Sequence, residues 1–144
     1  MKHENIKTSL IAVIGVTGSI ISRLLGGWDT ALQTLLIFMI TDYIMGIAVA
    51  GVFRKSKKTE SGALQSLVGW KGICKKGVTL LVIMLGAQLD ILMDINFVRY
   101  GLIIAFISNE LISIMENAAL MGVNMPPVLT KALDILQGKE EGGE

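Results

Sequence analysis

Four long apolar blocks, joined by short polar segments, constrain the fold of this chain more than any other feature. They cover residues 9–25, 30–53, 77–93 and 98–119. A membrane-spanning helix needs about 20 predominantly apolar residues, and each block approaches that length. A soluble helical bundle would need a polar face on every helix, and the second block has none. The pattern therefore predicts an all-α fold of transmembrane helices.

The joints between the blocks predict how the helices are arranged. Residues 26–29 and 94–96 are short turns, which favour two antiparallel helical hairpins. The segment between the hairpins, residues 54–76, is longer and basic. Because loops rich in Lys and Arg stay on the cytoplasmic side, four spans predict that both termini are cytoplasmic. The cations assigned to topology and to lipid headgroups are Arg54, Lys55, Lys57, Lys58, Lys71, Lys75 and Lys76.

Two parts of this layout stay open at the sequence level. The apolar residues within 64–73 favour either a short helix on the membrane surface or a solvated connector. The first block, which contains Arg23, either spans the membrane or does not. We expect it to be retained and not cleaved as a signal, since no clear A-x-A cleavage site follows it.

The C-terminal part of the chain is predicted to leave the membrane. Pro126 and Pro127 break the fourth helix, because proline lacks the amide donor. Apolar residues then recur at helical spacing, which predicts an amphipathic helix over residues 127–137. Residues 138–144 are predicted to be a flexible polar tail. The whole chain, 1–144, is predicted to be a single membrane domain.

The composition excludes several classes of function. Charged residues make up 17% of the chain, against about a quarter in typical soluble domains. The single histidine, His3, and the single cysteine, Cys74, are too few for a common zinc site or a disulfide. No phosphate-binding glycine loop, HExxH or GxSxG motif occurs. We predict no catalytic residue, cofactor, metal site or nucleic-acid partner, and hence no enzyme.

Ionisable side chains inside the apolar blocks are the candidate functional residues, because each costs about 2.5–3.5 kcal/mol in the membrane. Asp90, near a span end, is expected to reach the outer interface. In the fourth block five polar residues share an arc of about 120°, opposite a lipid-compatible back that includes Ile107 and Leu111. This stripe is predicted to line a water-filled hole or oligomer seam, or else to face the interior of a monomer. The candidate pore-lining or helix-interface residues are Asp42, Asn109, Glu110, Ser113, Glu116 and Asn117.

Three sequence elements, in this order, resemble a known family. Residues 41–46 read TDYIMG, residues 69–77 read GWKGICKKG, and residues 108–117 read SNELISIMEN. This pattern resembles the toxin-secretion and phage-lysis holin family of Gram-positive bacteria and their phages. The likeness covers roughly residues 25–136.

The resemblance implies a function that hydropathy alone does not. Holins accumulate in the bacterial cytoplasmic membrane, assemble with copies of themselves and open lesions. A cell-wall-degrading endolysin, or in some relatives a toxin, then passes out without a required direct contact. Two alternatives remain from the residues: a small oligomeric transporter or ion channel subunit, and a non-conducting membrane scaffold.

Overall fold

The structure, a computed structural model, describes residues 2–138. Within this range the chain forms five α-helices and no strand. The first four are long and apolar enough to cross a membrane, which confirms the predicted all-α fold. Residues 139–144 of the predicted tail lie outside the described residues. The helices are α1 (Lys2–Leu24), α2 (Thr30–Gly51), α3 (Ser66–Met93), α4 (Val98–Leu120) and α5 (Pro127–Leu136).

The third helix is longer than predicted. It begins at Ser66 and not at residue 77, so residues 66–76 belong neither to a loop nor to a separate surface helix. Lysine is a good helix former, so the helix includes the lysines that precede the third apolar block. With 28 residues and 1.5 Å per residue, α3 is about 42 Å long. That exceeds the roughly 30 Å of a bilayer's hydrocarbon core.

The core of the molecule lies between α2, α3 and α4. Each helix contributes completely buried side chains, among them Leu32, Ile83 and Ile103. α4 packs closely on α2 and also on α3, so it is the central helix. Its apolar back, which was expected to face lipid, is instead buried, with Ile107 and Leu111 only 8% and 4% exposed. The expectation fails because a helix with neighbours on both sides needs apolar residues for protein contacts.

Glycines on α3 set how closely its two neighbours approach. The ring of Tyr43 on α2 lies over Gly69 and Gly72, and a Cβ on Gly72 would sit 3.6 Å from that ring. This contact joins the TDYIMG and GWKGICKKG elements in space. Farther along, a Cβ on Gly86 would lie 2.5 Å from a methyl group of Leu102 on α4. The absence of a side chain at Gly86 therefore permits the close crossing of α3 and α4.

The two outer helices are attached at the edge of this bundle. α1 contacts only α3 among the helices, and none of its apolar segment Ile6–Leu24 is buried. α5 occupies the predicted amphipathic segment and packs on α4. Leu136 near its end contacts the apolar core. α5 therefore turns back onto the bundle and does not extend away from it.

Candidate functional site: a polar cluster between three helices

Four polar side chains meet between α2, α3 and α4. Lys76 Nζ on α3 donates to Asp42 Oδ2 of α2 at 2.9 Å and to Glu110 Oε2 of α4 at 2.6 Å. The other carboxylate oxygen of Asp42 accepts a hydrogen bond from Asn117 Nδ2 at 3.1 Å. Glu110 and Asn117 lie two turns apart on one face of α4. We refer to these four residues as the polar cluster.

The charges of the polar cluster do not balance. The side chains of Lys76, Asp42 and Glu110 are 18%, 12% and 15% exposed, so water screens them only in part. One ammonium faces two carboxylates, and with all three ionised the cluster carries one net negative charge. A partly desolvated charge without a partner costs several kcal/mol. The arrangement can therefore take up one proton or cation while it links three helices through one side chain.

Half of the residues predicted for a pore or interface belong to this cluster. The other three line the same neighbouring cavity. Ser113 is half-buried, whereas Asn109 and Glu116 are exposed. The polar stripe of α4 is thus divided, with one edge paired inside the bundle and the other exposed along the wall of the cavity. The pore-lining role of these residues stays a prediction.

Lys76 lies in a different environment from the one predicted. The basic pattern of residues 54–76 groups it with cations that contact headgroups, yet its ammonium binds two carboxylates within the bundle. The sequence holds a signal for this pairing, since the second and fourth apolar blocks each carry an acid well inside the block. A cation at matching depth on the third helix is the natural partner. The basic pattern hides this signal, because it predicts that residue 76 lies in a loop and not on α3.

A third ion pair, between Arg99 and Asp29, lies at the opposite end of the bundle, where the α1–α2 turn meets the start of α4. The Arg99 side chain is 5% exposed. Its guanidinium donates Nη1–H to Asp29 Oδ2 at 2.6 Å, Nε–H to the Leu25 carbonyl at 2.5 Å and Nη2–H to the Gly27 carbonyl at 3.1 Å. The hydrogen bond from Arg99 lowers the pKa of Asp29 from 3.8 to about 2. One side chain thus fixes the turn between α1 and α2.

Asp90 binds the backbone of Arg99, a contact that the sequence did not indicate. It was expected to reach the outer interface, but it is only 9% exposed. Its two oxygens accept the backbone N–H groups of Val98 and Arg99, both at 2.9 Å. These amides open α4 and have no partner within the helix, so Asp90 caps it. Asp94, with φ of 54°, reverses the chain between them, and no local pattern reveals that geometry.

Long apolar helices with ion pairs between them define a helical membrane protein. The chain belongs to the bacteriophage holin family, whose family model matches residues 19–138. Membership confirms the resemblance carried by the three sequence elements. The family is not enzymatic, which agrees with the prediction of a protein without catalytic residues.

Several relatives align over most of the chain. An uncharacterised 14.9 kDa protein in the nagH 3′ region of Clostridium perfringens is 37% identical over 139 residues, which cover 95% of this chain and 99% of that protein. An uncharacterised protein of Listeria innocua is 33% identical, covering 90% and 89% of the two chains. A probable holin of Bacillus phage phi105 is 31% identical over 111 residues, 76% of each chain. No solved structure matches this chain.

Proposed function

We propose that this protein is a holin that oligomerises in the bacterial cytoplasmic membrane and forms lesions that release an endolysin or a toxin. Family membership and the similarity to a probable phage holin support the general function. The observation that supports assembly is the exposed polar edge of α4, where Asn109 and Glu116 line an open cavity and have no hydrogen-bond partner among the described side chains.

The energetic argument for assembly concerns this edge. A glutamate or asparagine that faces acyl chains loses its water hydrogen bonds, at about 2.5–3.5 kcal/mol for a charged group at the middle of a span. Contact with a second copy would satisfy these groups, and a ring of copies would turn them toward a water-filled opening. α1 adds a second surface for assembly or lipid contact, because its apolar side chains, such as Ile11 and Ile14, are exposed.

The proposed topology has four spans, with the loop between α2 and α3 in the cytoplasm. That loop and the first turns of α3 carry Arg54, Lys57 and Lys71, whereas the turn between α3 and α4 carries no Lys or Arg. Loops rich in Lys and Arg are retained in the cytoplasm. Both termini then lie on the cytoplasmic side as well.

Inducible expression in a bacterium with and without a co-expressed endolysin tests the proposal. We expect abrupt growth arrest in both strains, and lysis only when the endolysin is present. Glu116→Leu should delay or abolish lysis, since it removes an exposed charge of α4, while Glu116→Gln should retain more activity. Glu60→Leu, at an exposed acid of the loop, is the control and should leave lysis time unchanged. Growth without arrest at confirmed membrane expression would contradict the holin assignment.

An ion-coupled transporter or channel subunit is the second candidate, and the polar cluster is the observation that favours it. Acids and cations paired within a membrane helix bundle commonly mark ion or proton pathways. The size of the released cargo separates the two functions. Vesicles that contain the protein should release a folded protein if it is a holin, but only protons or small ions if it is a transporter.

A further inference from the structure

The cavity beside the polar cluster has a chemical character of its own. It measures about 250 Å³ and lies between α2, α3, α4 and the loop that joins α2 to α3. One part of its lining is apolar and includes Ile47, Val68 and Leu120. Another part is formed by lysines of the loop and of α3. A cavity with an apolar wall and a cationic rim fits an amphiphile with an anionic head.

The seven Lys and Arg residues of the segment 54–76 form two groups, those that line this cavity and those that do not. Lys57, Lys58 and Lys75 line it, together with Lys76 of the polar cluster. Arg54, Lys55 and Lys71 do not. A cluster that only fixed membrane topology would not need four of its seven cations to line one cavity.

The three rim lysines keep their charges available. Lys76 is engaged by two carboxylates, but Lys57, Lys58 and Lys75 form no ion pair within 4 Å among residues 2–138. The carboxylates that line the cavity are Asp42, Glu110 and Glu116, and Asp42 lies within electrostatic range of Lys58. With all groups ionised, four ammonium groups face three carboxylates, so the lining carries one net positive charge, and the three rim lysines are its cations without an ion pair. An anion is therefore the favoured ligand.

We propose that this cavity is a binding site for the phosphate group of an anionic phospholipid. Lys57, Lys58 and Lys75 would contact the phosphate, and the start of an acyl chain would lie along the wall near Ile47 and Val68. Basic pockets between membrane helices are known to bind anionic headgroups in this way. The site is independent of the proposed lesions, since it requires only the folded chain and a bilayer.

Lipid retention by the full-length protein tests the site. Protein in uncharged detergent would be titrated with phosphatidylglycerol or phosphatidylcholine, and bound lipid counted by native mass spectrometry. The triple variant K57Q/K58Q/K75Q should weaken phosphatidylglycerol binding at least tenfold, since each cation near an anionic headgroup contributes about fivefold. The matched variant R54Q/K55Q/K71Q removes the same charge from the same segment and should change binding less than about twofold.

A steric variant tests the apolar wall. Gly46 lines the cavity, and a Cβ there meets nothing within 4 Å, so Gly46→Leu should fill the space without disturbing the helices. Gly77→Leu, also with open space around it but outside the cavity, is the control. Binding of phosphatidylglycerol should fall for Gly46→Leu alone. Circular dichroism and thermal melting verify that each variant is folded, and K57R/K58R/K75R should retain binding if a cationic rim is what matters.

Three results would overturn the proposal. Equal losses in the two triple variants would show that general surface charge, not the cavity, attracts the lipid. Displacement of bound lipid by millimolar glycerol phosphate, with no effect of Gly46→Leu, would identify a soluble phosphate compound as the ligand. Equal retention of phosphatidylcholine and phosphatidylglycerol by the unaltered protein would exclude a site that selects anionic phospholipids.

Discussion

Lys76 holds two carboxylates on different helices, so its loss has consequences beyond one hydrogen bond. Removing one partner of a shielded ion pair leaves an uncompensated charge, which costs far more than the pair itself contributes. Here two charges would remain, on Asp42 and Glu110, and the former would keep only uncharged hydrogen-bond donors such as Asn117. The stability of the contact between α2, α3 and α4 therefore depends strongly on this lysine.

Lys76→Gln is expected to lower the free energy of unfolding by roughly 3–5 kcal/mol, measured by thermal or denaturant unfolding in detergent. Adding Glu110→Gln should recover part of the loss, because one of the two unpaired charges is then removed. Lys71→Gln, at an exposed lysine outside the cluster, provides the control. Equal stability of the Lys76 and Lys71 variants would show that the polar cluster contributes nothing to folding.

The Asp29 carboxylate gives the molecule a specific acid sensitivity. Its pKa is lowered to about 2 by Arg99, so its contribution to stability is complete above its ordinary pKa of 3.8 and is lost as the pH falls toward 2. Asp29→Asn removes the charge but keeps a side chain that caps helices well. We expect the unaltered protein to be more stable at pH 7, with the difference shrinking between pH 4 and pH 2. A difference in melting temperature that stays constant with pH would contradict this role.

At the scale of elements, α3 and α4 cross at Gly86, where α3 has no side chain. The space that a Cβ on Gly86 would need is occupied by Leu102, and the backbone of Arg99 is 3.4 Å away. A β-branched residue would force the two helices apart and disturb the guanidinium that ties the α1–α2 turn. The position therefore couples helix packing to the buried ion pair.

Gly86→Val is expected to destabilise the protein by about 1–3 kcal/mol, as overpacked cores do. Gly77→Val introduces the same side chain into the same helix at a position with nothing within 4 Å, and should have a much smaller effect. Melting temperatures in one detergent compare the two variants directly. A loss at Gly77 as large as that at Gly86 would attribute the effect to helix propensity and not to the crossing.

At the scale of the whole molecule, the two ends of the bundle differ in charge. The loop between α2 and α3 and the start of α3 carry most of the cations, whereas the turn of residues 94–97 is acidic, with Asp94 as its charged residue. This asymmetry underlies the proposed orientation. In the proposed orientation the cavity and the polar cluster would lie nearer the cytoplasmic side.

Cysteine labelling in cells tests the orientation. The natural Cys74 is exposed and would be changed to Ala first. A membrane-impermeant maleimide should then label Asn96→Cys in intact cells, but Ser61→Cys and Asn124→Cys only after the cytoplasmic membrane is permeabilised. Labelling of Ser61→Cys but not Asn96→Cys in intact cells would reverse the topology, and labelling of both would show that α3, the one helix between them, does not cross the membrane.

The sequence alone determined the features that depend on local pattern. The all-α fold, four apolar helices and the amphipathic α5 follow from block length and helical spacing, and three short elements carried the family resemblance. These features survive because the hydrophobic effect and backbone hydrogen bonding act on each segment wherever its neighbours lie. The acids inside the apolar blocks were also recognisable, since an ionisable group in lipid is costly by itself.

Only the tertiary structure decided which of these groups meet. Lys76 reaches Asp42 and Glu110 because α3 continues as a helix through a basic stretch that hydropathy places outside the membrane. Asp90 caps α4 because Asp94 adopts the left-handed backbone conformation and reverses the chain between α3 and α4. The apolar back of α4 is buried because two helices flank it. Each outcome depends on contacts between residues distant in sequence, and their energies are set by relative helix positions that no local pattern contains.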